Sequence, residues 1–232
     1  YPDAFDKLLK SLNDYIKADP EFTIAIKSGQ EPFFEVYIKS FKDGVATFGE
    51  KKWKEAAANF DRGVVLSDII FSKGWSTNKQ PFDTTTLMYA GYAHQNAGNK
   101  EICAAYYKRL IDAKINSSEL IDAYRYLLVY YIDTKDKSGF DTYYKITQGA
   151  YPAENWFEYK TDYIDKHYSM EEKIASYNEM IADNSMTEFA CQMFGDMFMA
   201  GKSMDGVSVE LSNSYLLLEH YYRLQQLHKM AL

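Results

Sequence analysis

At 232 residues the chain has room for one or two compact domains, or for a single array of small units. A hydrophobic content of 47% with 16% aromatic residues excludes a disordered chain. A net charge of −7 without any clustered basic run argues against a nucleic-acid partner, and no apolar run approaches the ~20 residues of a membrane-spanning helix. Against 21 Tyr, 14 Phe and 9 Met stand only 5 Pro, a balance suited to stacked helices whose rings fill the gaps between layers.

The periodicity of Phe5, Leu8, Leu9, Leu12, Tyr15 and Ile16 predicts a first helix over residues 3–18, ended by Asp19-Pro20. A short segment over 22–27 stops at Ser28-Gly29. Leu8, Leu12 and Pro20 keep the spacing of Phe140, Tyr144 and Pro152, so this opening reads as the second half of a truncated repeat. The chain opens at Tyr1 rather than Met, as expected where a leader or other upstream residues have been removed.

The first full unit covers 31–73, with its turn at Gly49-Glu50 and its second helix from Trp53. Residues 72–83 carry Gly, Trp, Asn, Pro and Thr without periodicity and read as a loop. The second unit, 83–115, turns at Ala97-Gly98-Asn99, and the third, 118–151, turns at Thr134-Lys135-Asp136. The fourth, 153–183, turns near His167-Tyr168-Ser169, and the fifth starts near Thr187 and turns at Gly201-Lys202-Ser203. The expected organisation is thus an N-terminal half repeat or cap (1–30), a repeat array (31–206) and a long C-terminal helix or cap (207–232).

One spacing runs through these units: a residue of the first helix, a second 12 positions on, and a bulky one 4 further. It appears as Gly44–Ala56–Phe60, Gly91–Cys103–Tyr107, Leu128–Phe140–Tyr144, Thr161–Lys173–Tyr177 and Gly195–Val207–Leu211. From Gly91 onward the units begin 33 to 37 residues apart, the period of a helix–turn–helix solenoid. Small residues at the first and second positions let the two helices of a pair approach closely. The ring that follows plugs the space against the next pair, and stability accumulates repeat by repeat.

These residues resemble the tetratricopeptide repeat family. The unit Leu87, Ala90, Gly91, His94, Gly98, Cys103, Tyr107 and Leu110 carries the resemblance most fully, followed by Tyr124, Tyr131, Tyr144 and Pro152. Leu128, Thr161 and Lys173 depart from the family pattern, so a splayed or atypically packed fourth repeat is expected. The Tyr-rich helices and long first interval also resemble the repeat proteins common in bacteria of the Bacteroides type, which points to the periplasm or cell envelope rather than the cytoplasm.

The family resemblance implies an all-α, right-handed superhelix of about five repeats, with a concave groove lined by first helices and occupied by a protein or peptide. Helical spacing places Thr85, Met88, Tyr92 and Gln95 on that face, then Asp122, Arg125, Val129 and Ile132. Asn155, Glu158, Asp162 and Asp165 follow, then Phe189, Gln192, Asp196 and Met199. Such a groove grades from apolar to acidic and suits an extended ligand with a basic end. In the first repeat Ile38, Phe41, Val45 and Phe48 are all apolar, and cover by the N-terminal helices is expected there. The family's clamp for acidic C-terminal tails needs Lys and Asn where Met88 and Tyr92 stand, so that role is not expected.

No catalytic, cofactor or metal constellation emerges. Four histidines stand far apart, and His94 reads as a packed core residue, as do Cys103 and Cys191. Glu171-Glu172 and Asp133/Asp136 read as helix-start carboxylates. Asn116-Ser117-Ser118 fits a glycosylation acceptor. The leading reading is a non-enzymatic scaffold. A cell-envelope module that stacks a glycan or other small molecule on Trp75 or Trp156 is the alternative, and a helical enzyme with a cryptic site ranks last. The apolar final helix, with Tyr215, Leu216, Leu217, Leu218, Tyr221 and Tyr222, reads as a surface for self-association.

Overall fold

The computed structural model describes residues 4–115, 117–182, 186, 187, 189–193 and 196. Every regular element among them is helical. After α1 (Ala4–Ala18) and α2 (Thr23–Ser28) come three helix pairs: α3 (Glu31–Gly49) with α4 (Trp53–Ser72), α5 (Thr84–Ala97) with α6 (Lys100–Asp112), and α7 (Ile121–Asp133) with α8 (Lys137–Ala150). A fourth pair is α9 (Phe157–His167) and α10 (Met170–Ala182). From α3 to α8 each helix packs on the next in chain order. The chain divides into two compact units, Tyr1–Trp156 and Phe157–Leu232. The division falls at the entrance to the repeat whose sequence departs from the pattern. The expected Gly195, Met199, the turn at 201–203, the final helix and Asn116 lie outside the described residues.

The turn inside each of the first three pairs is the same motif. Lys51, Gly98 and Lys135, at one position of the repeat, hold positive φ of 59°, 80° and 58°. The next residue in each donates its N–H back to the carbonyl five residues earlier: Lys52 to Thr47, Asn99 to His94 and Asp136 to Tyr131, at 2.9, 2.9 and 3.1 Å. This is the helix stop built on one left-handed residue. Side chains set the helix starts. Asp83 accepts from the Thr85 and Thr86 N–H groups, Asp136 from Gly139, and Ser169 and Glu172 satisfy each other's N–H groups at α10. Asp133, expected at a helix start, instead ends α7 and pairs with Lys100 at 2.8 Å.

The small-residue spacing has a more specific physical content than close helix approach. A Cβ on Gly44 would lie within 3.0 Å of the Phe60 ring, and one on Gly91 would overlap the Tyr107 ring. Each glycine is therefore the seat of the ring 16 residues on, while Ala56 and Cys103 are fully buried beside it. Both rings also reach the following pair: Phe60 stacks on Tyr89 of α5, with centroids 5.4 Å apart, and Tyr107 meets Tyr126 of α7 edge-on at 5.4 Å. In the third pair the seat is reversed. Leu128 fills the glycine position, and Gly139 of α8 receives Tyr131 of α7.

Second helices are tied to second helices by polar links. Asp61 and Asp68 of α4 accept from Tyr106 (2.7 Å) and Arg109 (2.8 Å) of α6, and Asp112 of α6 accepts from Tyr143 of α8 (2.6 Å). The N-terminal helices close the open end of the array. Leu12, Phe22 and Ala25 join Phe33, Val36, Leu66 and Ile70 in one buried cluster. That cluster sits on the start of α3 and the end of α4, and it leaves Ile38 and Val45 45% and 43% exposed. The expected cover of that face by α1 and α2 is therefore not what forms. In the second unit Ile164, Tyr177, Met180 and Ala190 make a separate core.

Candidate functional site

Aligning the three pairs of the first unit on Gly44, Gly91 and Leu128 puts the expected groove residues in register. Ile38, Thr85 and Asp122 share one position, Phe41, Met88 and Arg125 a second, and Val45, Tyr92 and Val129 a third. All nine are exposed or half-exposed, Val129 by 42%. The fourth position is different. Phe48 packs on Trp53 and Phe60, and Ile132 is fully buried, so Ile132 does not belong to the face. Gln95 is exposed, yet its amide oxygen accepts the buried Tyr107 hydroxyl at 2.9 Å and thereby serves the core.

The α5 face meets the segment that leads into α7. The Tyr92 hydroxyl points to the Glu119 carbonyl at 3.5 Å, and its pKa is raised first by burial and then by the carboxylates of Asp122 and Glu119. Arg125 reaches Asp122 at 3.1 Å and Glu154 at 3.0 Å, with its guanidinium over the Trp156 ring. The first-unit face thus presents apolar and aromatic side chains on α3 and α5, giving way to acidic ones around a single arginine on α7.

The remaining expected residues belong to the second unit. Glu158, Asp165, Gln192 and Asp196 are exposed and Asp162 is half-buried. Asp162 pairs with Lys166 at 2.9 Å, and Asp165 receives Lys173 at 3.4 Å, so Lys173, unexpected in its core slot, is turned outward to a carboxylate. Phe189 is half-buried and packs on Phe157 and Tyr177 rather than standing open, and Asn155 is exposed at the end of the first unit.

Of the two tryptophans offered for glycan stacking, Trp156 is buried and Trp75 is half-buried. Trp156 is 3% exposed and donates its indole N–H to the Tyr151 carbonyl at 2.8 Å. Trp75 packs edge-on against Phe22 and Phe33. His94 is 3% exposed and bonded to Asp61 (2.8 Å) and Asn99 (3.0 Å), a packed core residue. Both cysteines are buried and unpaired, and burial pushes the Cys103 thiol up to about 12, which makes it a poor nucleophile. Among the described residues no group of His, Cys, Asp or Glu could hold a metal ion, and no helix is long and apolar enough to cross a membrane.

No family model matches the chain, and no curated or solved protein matches it significantly. The functional reading therefore rests on the site.

Proposed function

We propose that the chain is a non-enzymatic scaffold of the tetratricopeptide type, which holds a protein or peptide against the exposed face of its first helices. In this reading the pairs build a right-handed superhelix, and Val45, Tyr92 and Val129 form a column along its concave side. The observation that carries it is the recurrence of one position across three successive pairs, exposed at Val45 and Val129 and half-exposed at Tyr92. Solvent-exposed apolar residues also occur on the second helices, at Val65, Ile102 and Ile146, but these fall at unrelated positions of the repeat. Scattered single exposures are ordinary, whereas a column in register is a surface. The acidic residues beside it favour a ligand with apolar side chains and a basic end.

A test is to pan a random peptide library on the protein and score the enriched peptides against Met88→Glu/Tyr92→Glu. Peptides pairing apolar with basic residues, and weakened at least ~10-fold by the double change, are expected. Enriched peptides that bind parent and variant equally would place recognition elsewhere.

A further inference from the structure

The interval from Gly44 to Gly91 spans 47 residues, longer than the later ones mainly because α4 is long, and residues 73–83 connect α4 to α5. Connecting loops are where binding functions concentrate. Its Trp75 turns inward onto Phe22 and Phe33, which pins the loop in place. Beneath it, against α3 and α4, lies a cavity of about 200 Å³. Phe34, Ile70 and Phe71 line it with apolar surface, and Tyr37, Ser67, Ser76, Asn78 and Asp83 supply its polar lining.

The hydroxyl hydrogens of Tyr37 and Ser67 are already committed. The Tyr37 hydroxyl donates to Asp83 Oδ2, and the Ser67 hydroxyl donates to the Val64 carbonyl at 3.0 Å. Burial, and then the Asp83 bond, push the Tyr37 phenol up to about 12, so it stays protonated. What these two oxygens offer a ligand is therefore acceptor capacity. Asp83 itself collects four neutral donors: the Thr85 and Thr86 N–H groups on Oδ1, both at 3.1 Å, and the Tyr37 and Thr86 hydroxyls on Oδ2. None of the ion pairs formed among the described residues involves Asp83. Hydrogen bonds fix this carboxylate but leave its charge uncompensated at the edge of a half-enclosed, aromatic-walled cavity. Such a field repels anions and favours a cation, and the ring faces add to the attraction.

We propose that this cavity binds a small organic cation, a primary ammonium carried on a ring or short apolar chain. The ammonium donates to the Tyr37 and Ser67 oxygens within the field of Asp83, and the apolar body lies against Phe34, Ile70 and Phe71. None of these residues belongs to the exposed first-helix column, so the two readings stand or fall separately.

Three probes of one shape and different charge make the test: benzylamine, benzyl alcohol and benzoate, each titrated into the isotope-labelled full chain. Benzylamine is expected to shift the amides of residues 34–37, 67–71 and 76–83 saturably. Benzyl alcohol should bind at least ~10-fold more weakly and benzoate should give no saturable shift. Asp83→Asn keeps an equally good helix cap but removes the charge, and should weaken benzylamine by a similar factor. Ser76→Phe, which occludes the cavity from the loop side and leaves Asp83 in place, should abolish the shifts even if Asp83→Asn disturbs the fold. Absence of a saturable response to benzylamine, an equal response to all three probes, or unchanged binding in Ser76→Phe would overturn the proposal.

Discussion

Gly91 sits inside a helix, where glycine ordinarily costs ~1 kcal/mol relative to alanine. Here a methyl group would meet the Tyr107 ring, which is itself fully buried and cannot yield. Gly91→Ala is therefore expected to destabilise by ~1–3 kcal/mol, the range for overpacking, where propensity alone forecasts a gain. A melting temperature that rises would contradict the ring seat. The opposite sign is expected at the turns. Lys51 and Lys135 hold the left-handed conformation that Gly98 holds at the same repeat position, at a steric cost of ~1–2 kcal/mol for a residue with a Cβ. Allowing for the greater chain entropy of glycine, Lys51→Gly and Lys135→Gly should each stabilise by up to ~1 kcal/mol in urea unfolding. The glycine–ring spacing was legible in the sequence because both residue types are distinctive. Its reversal at Gly139 and Tyr131 was not, since a glycine one turn into a second helix carries no signal until the ring opposite it is known.

Helix boundaries were the most legible part of the fold, because caps and turn residues announce them locally. Asp133 was misplaced because it lies three residues before the true cap, Asp136, and both are carboxylates near a turn. The corner between α1 and α2 shows a device that periodicity does not report. Asp19 accepts the Ile24 N–H at 3.0 Å and the Thr23 and Tyr15 hydroxyls. The Ile24 N–H leads in holding its carboxyl down to about 2, below the ordinary 3.8. Because the folded value is depressed, the contribution is present above pH ~4 and is lost as pH falls through about 2. The Ile24 amide resonance should follow an apparent pKa near 2, and a transition at the ordinary carboxylate value would refute the link. The division between the two compact units falls at Phe157, where α9 opens the fourth pair, inside the array expected over 31–206. Lys173 resolves its misplacement by reaching Asp165 at the surface.

At the scale of the molecule, tyrosine shares the core of the described residues with aliphatic side chains. Burial is the leading cause that pushes Tyr37, Tyr124, Tyr144 and Tyr177 up to about 12, and Tyr106, Tyr107, Tyr126 and Tyr143 higher still. The fold prefers the neutral phenol, so this stabilisation is complete below the ordinary value of ~10. It is lost as pH rises through about 12. Urea midpoints should hold steady up to pH ~10 and then drop, with phenolate absorbance appearing cooperatively as the chain unfolds. Gradual titration of all tyrosines near their ordinary value in an intact fold would show that they are not packed as described.

The candidate face was legible in part. Positions one, four and eight of each set followed from helical spacing, while the burial of Ile132 and the bond from Tyr107 to Gln95 depend on neighbours that spacing does not reveal. The central claim is that the first-helix column, rather than apolar exposure in general, contacts the partner. Photo-crosslinking side chains placed one at a time at Val45, Tyr92 and Val129, and at Val65, Ile102 and Ile146 as matched apolar controls, test it in a native lysate. The account predicts one common adduct from the three column positions and none of it from the controls. The same adduct from the second-helix positions, with none from the column, would contradict it.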